Sequence, residues 1–173
     1  MTNKTSSMLM RSLAVLQGKP TDFDKCLQDL YLHFKDDMLV LSSATTLAKN
    51  LPLIKSKQAS EALGQEKSLI VVDCYSTIHA DAIASISGLV VGGGLLMFLM
   101  PDSDIWEKLY IKPFSQRFIQ MLAQYPALHR YTVNDVLLTD KIKGLLQPSM
   151  NIADIQMTND HQSALIAIEK LLK

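Results

Sequence analysis

Two continuous aliphatic runs, Leu69 to Val72 and Leu95 to Met100, carry no polar alternation and are closed by Asp73 and Pro101. Runs of that kind predict strands buried on both faces, as in a parallel sheet. Between them, from His79, the apolar residues Ile83, Ile86, Val90 and Val91 recur at helical spacing, and Gly92-Gly93-Gly94 is read as the stop of that helix. Upstream, Leu13 to Leu16 before Gly18 and Pro20, and Met38 to Leu41 before Ser42, Ser43 and Thr45, predict two more strands. Thr21 or Asp22 caps the helix between them, whose inner face is Phe23, Cys26, Leu27, Leu30, Tyr31 and Phe34.

The rest of the chain is patterned less evenly. Leu47 to Lys57, interrupted by Pro52, reads as a connection, and Ala59 to Leu63 as a short helix ended by Gly64. Pro113 to Tyr125 is an amphipathic helix with Phe114, Phe118, Ile119, Met121 and Leu122 apolar, and Pro113 suits its first turn. Tyr131 to Leu138 reads as a strand, Lys141 to Asp154 as an irregular linker, and Thr158 to Lys173 as a helix with Leu165, Ile166, Ile168, Leu171 and Leu172 on its apolar face. Strands alternating with helices predict an α/β class: a three-layer Rossmann-like domain with a mainly parallel sheet of four to five strands.

Composition narrows the functional classes. The 173 residues suffice for one ordinary domain, and 48% apolar against 6% aromatic residues predict an aliphatic core with nine methionines as filler. With 17 basic and 17 acidic side chains, any nucleic-acid contact has to use a local patch. The strongest one, Glu107 to Lys143, sets Lys108, Lys112, Arg117, Arg130, Lys141 and Lys143 against Glu107, Asp135 and Asp140, a bias that an ordinary solvated surface also produces. Cys26 and Cys74 stand far apart without metal-ligand spacing and read as reduced, buried thiols. No apolar run reaches the roughly 18 residues of a membrane span, and the first 18 residues lack a signal-peptide pattern, so a cytoplasmic protein without a membrane partner is expected.

Catalytic signatures are missing where their chemistry needs them. There is no GxxxxGK[ST] loop to cradle phosphates and no GxSxG elbow to strain a serine. The glycine triplet precedes a strand rather than a helix, so it cannot bring phosphates to a helix N-terminus. His33, His79, His129 and His161 are scattered singly. The candidates that remain are polar groups at predicted carboxyl ends of strands, where open α/β sheets bind ligands: Ser42, Ser43, Asp73, Tyr75 and Asp102. Asp73 has an equally good structural role, bonding its own loop at Ser76 or Thr77. Trp106 could stack a base or serve as a buried anchor. Gln162, three residues after Asn159, completes a helix-capping pair and also resembles a helicase-type glutamine that reads adenine.

The order of several segments resembles a known family. LAVLQG (Leu13 to Gly18), LVLSS (Leu39 to Ser43), ALGQEKSLIVVD (Ala62 to Asp73), ADAIASISGLVVGGGLLMFLMP (Ala80 to Pro101) and DIWEKL (Asp104 to Leu109) are similar to the N-terminal domain of bacterial tRNA(Met) cytidine acetyltransferases. PFSQRFIQML and the final TNDHQSALIAIEKLL resemble that family's later helix and the segment leading into its ATPase module. The resemblance implies a parent enzyme that uses ATP, magnesium and acetyl-CoA to make N4-acetylcytidine at the wobble position of elongator tRNA(Met). It implies for this chain an accessory domain at 1–157 and, at 158–173, a helix leading into the ATPase module. The Walker and acetyl-CoA loops would lie past Lys173, so no catalytic residue and no cofactor is expected within the chain, and its partners would be the downstream modules and tRNA. Gln162 carries over as an adenine contact, and Asp73, Ser43, Tyr75, Asp102, Trp106, Lys108 and Arg117 are the candidate ligand or RNA contacts.

Overall fold

A computed structural model describes residues 10–42, 50–75 and 77–146. Its strands are β1 (Ser12–Gln17), β2 (Met38–Leu41), β3 (Leu53–Ile54), β4 (Lys67–Asp73), β5 (Val90–Met100) and β6 (Leu128–Thr132). They form one sheet in the order β3-β2-β4-β5-β1-β6, with every neighbouring pair parallel. Helices α1 (Pro20–Phe34), α2 (Ala80–Ser87), α3 (Trp106–Leu109), α4 (Pro113–Gln124) and α5 (Leu138–Leu145) and a 3₁₀ helix at Ser56–Ala62 flank it. The α/β Rossmann-like reading holds, with six strands instead of four to five. Among the described residues no helix is long and apolar enough to cross a membrane.

Because successive side chains of a strand point to opposite faces, each aliphatic strand feeds two cores. Val15, Leu39, Ile70, Val72 and Phe98 pack with α2, the 3₁₀ helix, Trp106 and the α4 residues Ile119 and Leu122. Ala14, Leu16, Val40, Val71 and Met97 pack instead with Phe23, Leu27 and Leu30 of α1 and with Leu138 and Ile142 of α5. Such two-sided burial is why the strands read as unbroken apolar runs.

The sequence reading and the structure part at five places. Pro20 opens α1, with Lys19 at the N-cap and no side-chain capping bond, so neither Thr21 nor Asp22 caps the helix; proline's preset φ starts it instead. The connection at Leu47 to Lys57 contains β3, a two-residue edge strand held by Val40 N–H to Pro52 O and Ser42 N–H to Ile54 O, both 3.0 Å. It is too short for any periodicity to reveal it. The helix at Ala59 to Leu63 is a 3₁₀ helix that starts three residues earlier.

The fourth difference concerns the glycine triplet. α2 ends at Ser87, and Val90, Val91 and Gly92 to Gly94 belong to β5, so the triplet is strand and not a helix stop. The register between β4 and β5 shifts between Lys67 and Leu69. A Cβ on Gly94 would stand 2.9 Å from Ser68 O and 3.0 Å from Val91 O, and Gly93 has φ +80°. Glycine here permits a bulge and a close backbone approach.

Fifth, the strand expected at Tyr131 to Leu138 lies earlier, at Leu128–Thr132, and Leu138 opens a helix in place of the expected linker. Leu138 and Ile142 stand one turn apart, so burying them beside α1 favours helix, whereas Val136 and Leu137 remain exposed in the turn. The helix expected at Thr158 to Lys173 lies outside the described residues.

Candidate functional site

Ligands of open α/β sheets bind where neighbouring strands send their connections to opposite faces. Besides the edge pair β3–β2, two neighbouring strand pairs of the described residues meet that condition. The chain leaves β2 towards Leu51, buried on the α1 face, whereas β4 leads to α2 on the other face; likewise β1 leads to α1 and β5 to α3 and α4.

At the first point Ser42 follows β2 and Asp73 ends β4. The Ser42 hydroxyl, 5% exposed, donates to Asp73 Oδ2 at 2.6 Å, and the Tyr75 N–H donates to Asp73 Oδ1 at 3.0 Å. Both carboxylate oxygens thus hold the chain's own loop. Among the described residues the loop partner is Tyr75 N–H, in an aspartate turn that bonds two residues on, and Ser76 lies outside the described residues. The Tyr75 ring meets Phe23 of α1 edge-on at 6.2 Å, which ties the loop to the opposite layer.

Cys74 continues the ladder, its N–H donating to Leu99 O at 3.0 Å. Burial, reinforced by the Asp73 charge, pushes its thiol well above the ordinary range, so it stays protonated and unreactive near neutrality. Burial first, and then the Asp29 charge, push the Cys26 thiol up to about 12. Tyr110, 2% exposed, donates its hydroxyl to Cys74 O at 2.6 Å. Burial first, and then Cys74, Asp73 and Tyr75, raise its phenol, which keeps it a donor. Sequence reasoning missed Tyr110; its signal is its place four residues after Trp106, on the same helical face.

The second point is sealed. Gly18 N–H donates to Met100 O at 3.2 Å, and Val133 N–H to Gln17 O at 3.0 Å. Pro101 O accepts from the Trp106 indole N–H at 2.7 Å and faces the Gln17 amide at 3.5 Å. A Cβ on Gly18 would lie 2.6 Å from Val133 Cγ2, so the residue after β6 packs closely on the end of β1.

The candidate residues therefore divide. Asp73 and Tyr75 meet at one strand end, together with Ser42, while Ser43 and Gln162 lie outside the described residues. Trp106 is 4% exposed and bonded to Pro101, a buried anchor whose faces are covered, so base stacking has no surface there. Asp102, Lys108 and Arg117 are exposed. Asp102 follows β5 in the turn before α3, Lys108 sits on α3 and Arg117 on α4, and nothing gathers them around Asp73. An open groove of about 650 Å³ lies elsewhere, between α1 and the turn into α5, lined by Asp22, Lys25, Asp29, His33 and Asp135 among others.

A phosphate cradle of the dinucleotide type joins a strand to a helix N-terminus, whereas Gly92 to Gly94 lie within β5, between Val90 and Leu95, where the register against β4 shifts.

Comparison with known proteins agrees with the order of these elements. The family described as tRNA(Met) cytidine acetyltransferase TmcA, N-terminal, matches residues 2–133. The TmcA of Haloferax volcanii is 37% identical over 70 residues, covering 36% of this chain and 9% of the relative. That of Nitrosococcus halophilus is 36% identical over 98 residues, 56% of this chain and 13% of the relative, and that of Idiomarina loihiensis 32% identical over 80 residues, 43% and 13%. The chain thus matches only about a tenth of the length of these curated relatives. With the family covering β1 to β6 in one continuous match, the chain belongs to the N-terminal domain family of tRNA(Met) cytidine acetyltransferase TmcA.

Proposed function

We propose that this domain is a noncatalytic accessory unit of a tRNA(Met) cytidine acetyltransferase, positioning the ATPase and acetyltransferase modules and offering a surface to tRNA. The boundary of the accessory unit falls at residue 157, and residues 158–173 lead into the ATPase module. ATP, magnesium and acetyl-CoA belong to those modules, and Gln162 is the one residue of this chain that would reach adenine.

The observation that carries the reading is the state of the strand ends. In ligand-binding sheets of this class, polar groups there point at a ligand. Here Asp73 accepts from Ser42 and Tyr75, Cys74 O from Tyr110, and Pro101 O from Trp106, so the groups that would turn to a substrate bond the fold itself. The exposed cations Lys108, Lys112 and Arg117 are the ones this reading offers to a phosphate backbone.

Titrating the chain with tRNA(Met) at low and high salt tests the RNA half. A domain that places three cations on phosphates loses affinity with a log–log slope of roughly −2 to −3. Replacing Lys108, Lys112 and Arg117 by Gln should flatten that slope; binding that ignores both salt and these substitutions leaves positioning of modules as the role. The rival use, a small ligand at Asp73, predicts saturable binding that Asp73→Asn abolishes.

A further inference from the structure

The chain has five Phe, five Tyr and one Trp, all among the described residues, and only two of these side chains are exposed: Phe114 at 44% and Tyr125 at 47%. Both belong to the α4 segment, whose buried side is made by Ser115, Ile119 and Leu122. With Met121, 62% exposed, they stand at steps of seven and four, which puts the three on one stripe of the helix apart from the buried side. Phe114 is stacked on Phe118 at 6.2 Å, and Phe118 meets core Phe98 edge-on at 5.1 Å, so a chain of rings holds the outermost one in place.

The charge around the stripe has one sign. Acids and bases balance over the whole chain, yet between Glu107 and Asp135 there is no acidic residue, while Lys108, Lys112, Arg117 and Arg130 are basic. Lys112 is the N-cap of α4, and Arg117 stands beside the stripe on the side away from the core. Arg130 donates from Nη2 to Leu122 O at 3.0 Å, which brings a third cation to the last turn of the helix. Asp102, Asp104 and Glu107 lie on the turn into α3 and on α3 itself, so an anion following the helix is repelled at that end and drawn along α4 towards Tyr125.

Rings left in water between cations fit a ligand that is flat, apolar and anionic at once. Each nucleotide of a single RNA strand has that character, a base with a π-face and a phosphate, whereas a duplex keeps its base faces inside the stack. A second copy of the chain would set Lys112 and Arg117 against their own images across a symmetric contact. Phe114 and Tyr125 are about 16 Å apart along the helix, the length of about five nucleotides at the 3.4 Å rise of a stacked strand. We infer, resting on the reading that this domain offers a surface to tRNA, that α4 is a platform for unpaired RNA bases: Phe114 and Tyr125 stack them while Lys112, Arg117 and Arg130 meet the phosphates. Burial removes Trp106 from that role, and these two rings take it.

Fluorescence anisotropy of a labelled oligoadenylate of about eight nucleotides, titrated with the 173-residue chain, tests the platform. Phe114→Leu with Tyr125→Leu, which keeps the stripe apolar and removes its rings, should weaken binding about tenfold or more and leave the salt slope unchanged, because the cations remain. Phe114→Tyr with Tyr125→Phe, which keeps both rings, should bind as the native chain does. If the leucine variant does not fold, photo-cross-linking of the native chain to a 4-thiouridine oligonucleotide makes the same test, with the adduct expected in 113–125. A native chain that binds neither the oligonucleotide nor tRNA(Met) overturns this inference together with the tRNA reading. Binding of tRNA(Met) that the leucine variant leaves intact, or adducts confined to other peptides, overturns the inference alone. A native dimer that Met121→Glu splits also overturns it, assigning the stripe to a second copy.

Discussion

Asp73 shows how a residue placed where ligands usually bind can be used by the fold. Its carboxylate accepts two hydrogen bonds, from a nearly buried hydroxyl and from a backbone N–H that has no ladder partner. Bonds to a charged acceptor contribute about 1.5–3 kcal/mol each. Asp73→Ala should lower unfolding free energy by about that much in urea, and Asp73→Asn, which keeps one acceptor, by less. Tyr110→Phe should cost about 1 kcal/mol in the same measurement, since Cys74 O loses its close donor. Cys26 adds a pH dependence whose sign follows from its raised pKa. The folded state holds the proton to about 12, against 9.0 for an ordinary thiol, so above pH 9 the unfolded chain binds fewer protons and stability falls as pH rises towards 12. Cys26→Ala should remove a downward slope of order 1 kcal/mol per pH unit between those limits, read from denaturation midpoints. The acid at a strand end, its position and its competing structural role were legible from sequence, because Asp73 closes an apolar run. Its partner Ser42 was legible only as another strand end, because β2 and β4 are separated by 25 residues and only the sheet makes them neighbours.

At the level of elements, the strands with two-sided burial were the readable ones. β2 coincides with its predicted span, and β1 and β4 enclose theirs, because a strand covered on both faces has no polar positions to blur it. Elements shaped by local exceptions were not. Val90 and Val91 satisfy helical spacing after Ile83 and Ile86, yet β-branched residues beside a glycine run also suit a bulged strand, and pairing with β4 decides between them. Gly94→Ala would push a methyl into Ser68 O, a backbone atom that cannot move without shifting β4. A loss of about 1–3 kcal/mol is expected, the range for overpacking. Gly18→Ala meets a side chain instead, so Val133→Ala in the same chain should recover much of its loss in a double-mutant cycle. α5 was missed for a related reason: Val133, Val136 and Leu137 extend the apolar pattern of β6 into a turn where Leu137 takes φ +60°, and only Leu138 and Ile142 are buried.

Across the whole molecule, one sheet carries two cores, and their coverings differ. The α1 face is covered by one long helix and α5, whereas the opposite face is assembled from short pieces, the 3₁₀ helix, α2, α3 and α4. The last of these leaves Phe114 and Met121 exposed beside Lys112 and Arg117. Class, strand cores and family were determined by the sequence alone, because continuous aliphatic runs and the order of short segments are local properties that survive without coordinates. What only the tertiary structure decided was the sheet order, the satisfaction of Asp73 by Ser42, the burial of Trp106 and the side of α4 left bare. Each of these depends on contacts between residues distant in the chain, and hydrophobic periodicity, which records burial but not the neighbour that provides it, cannot specify them.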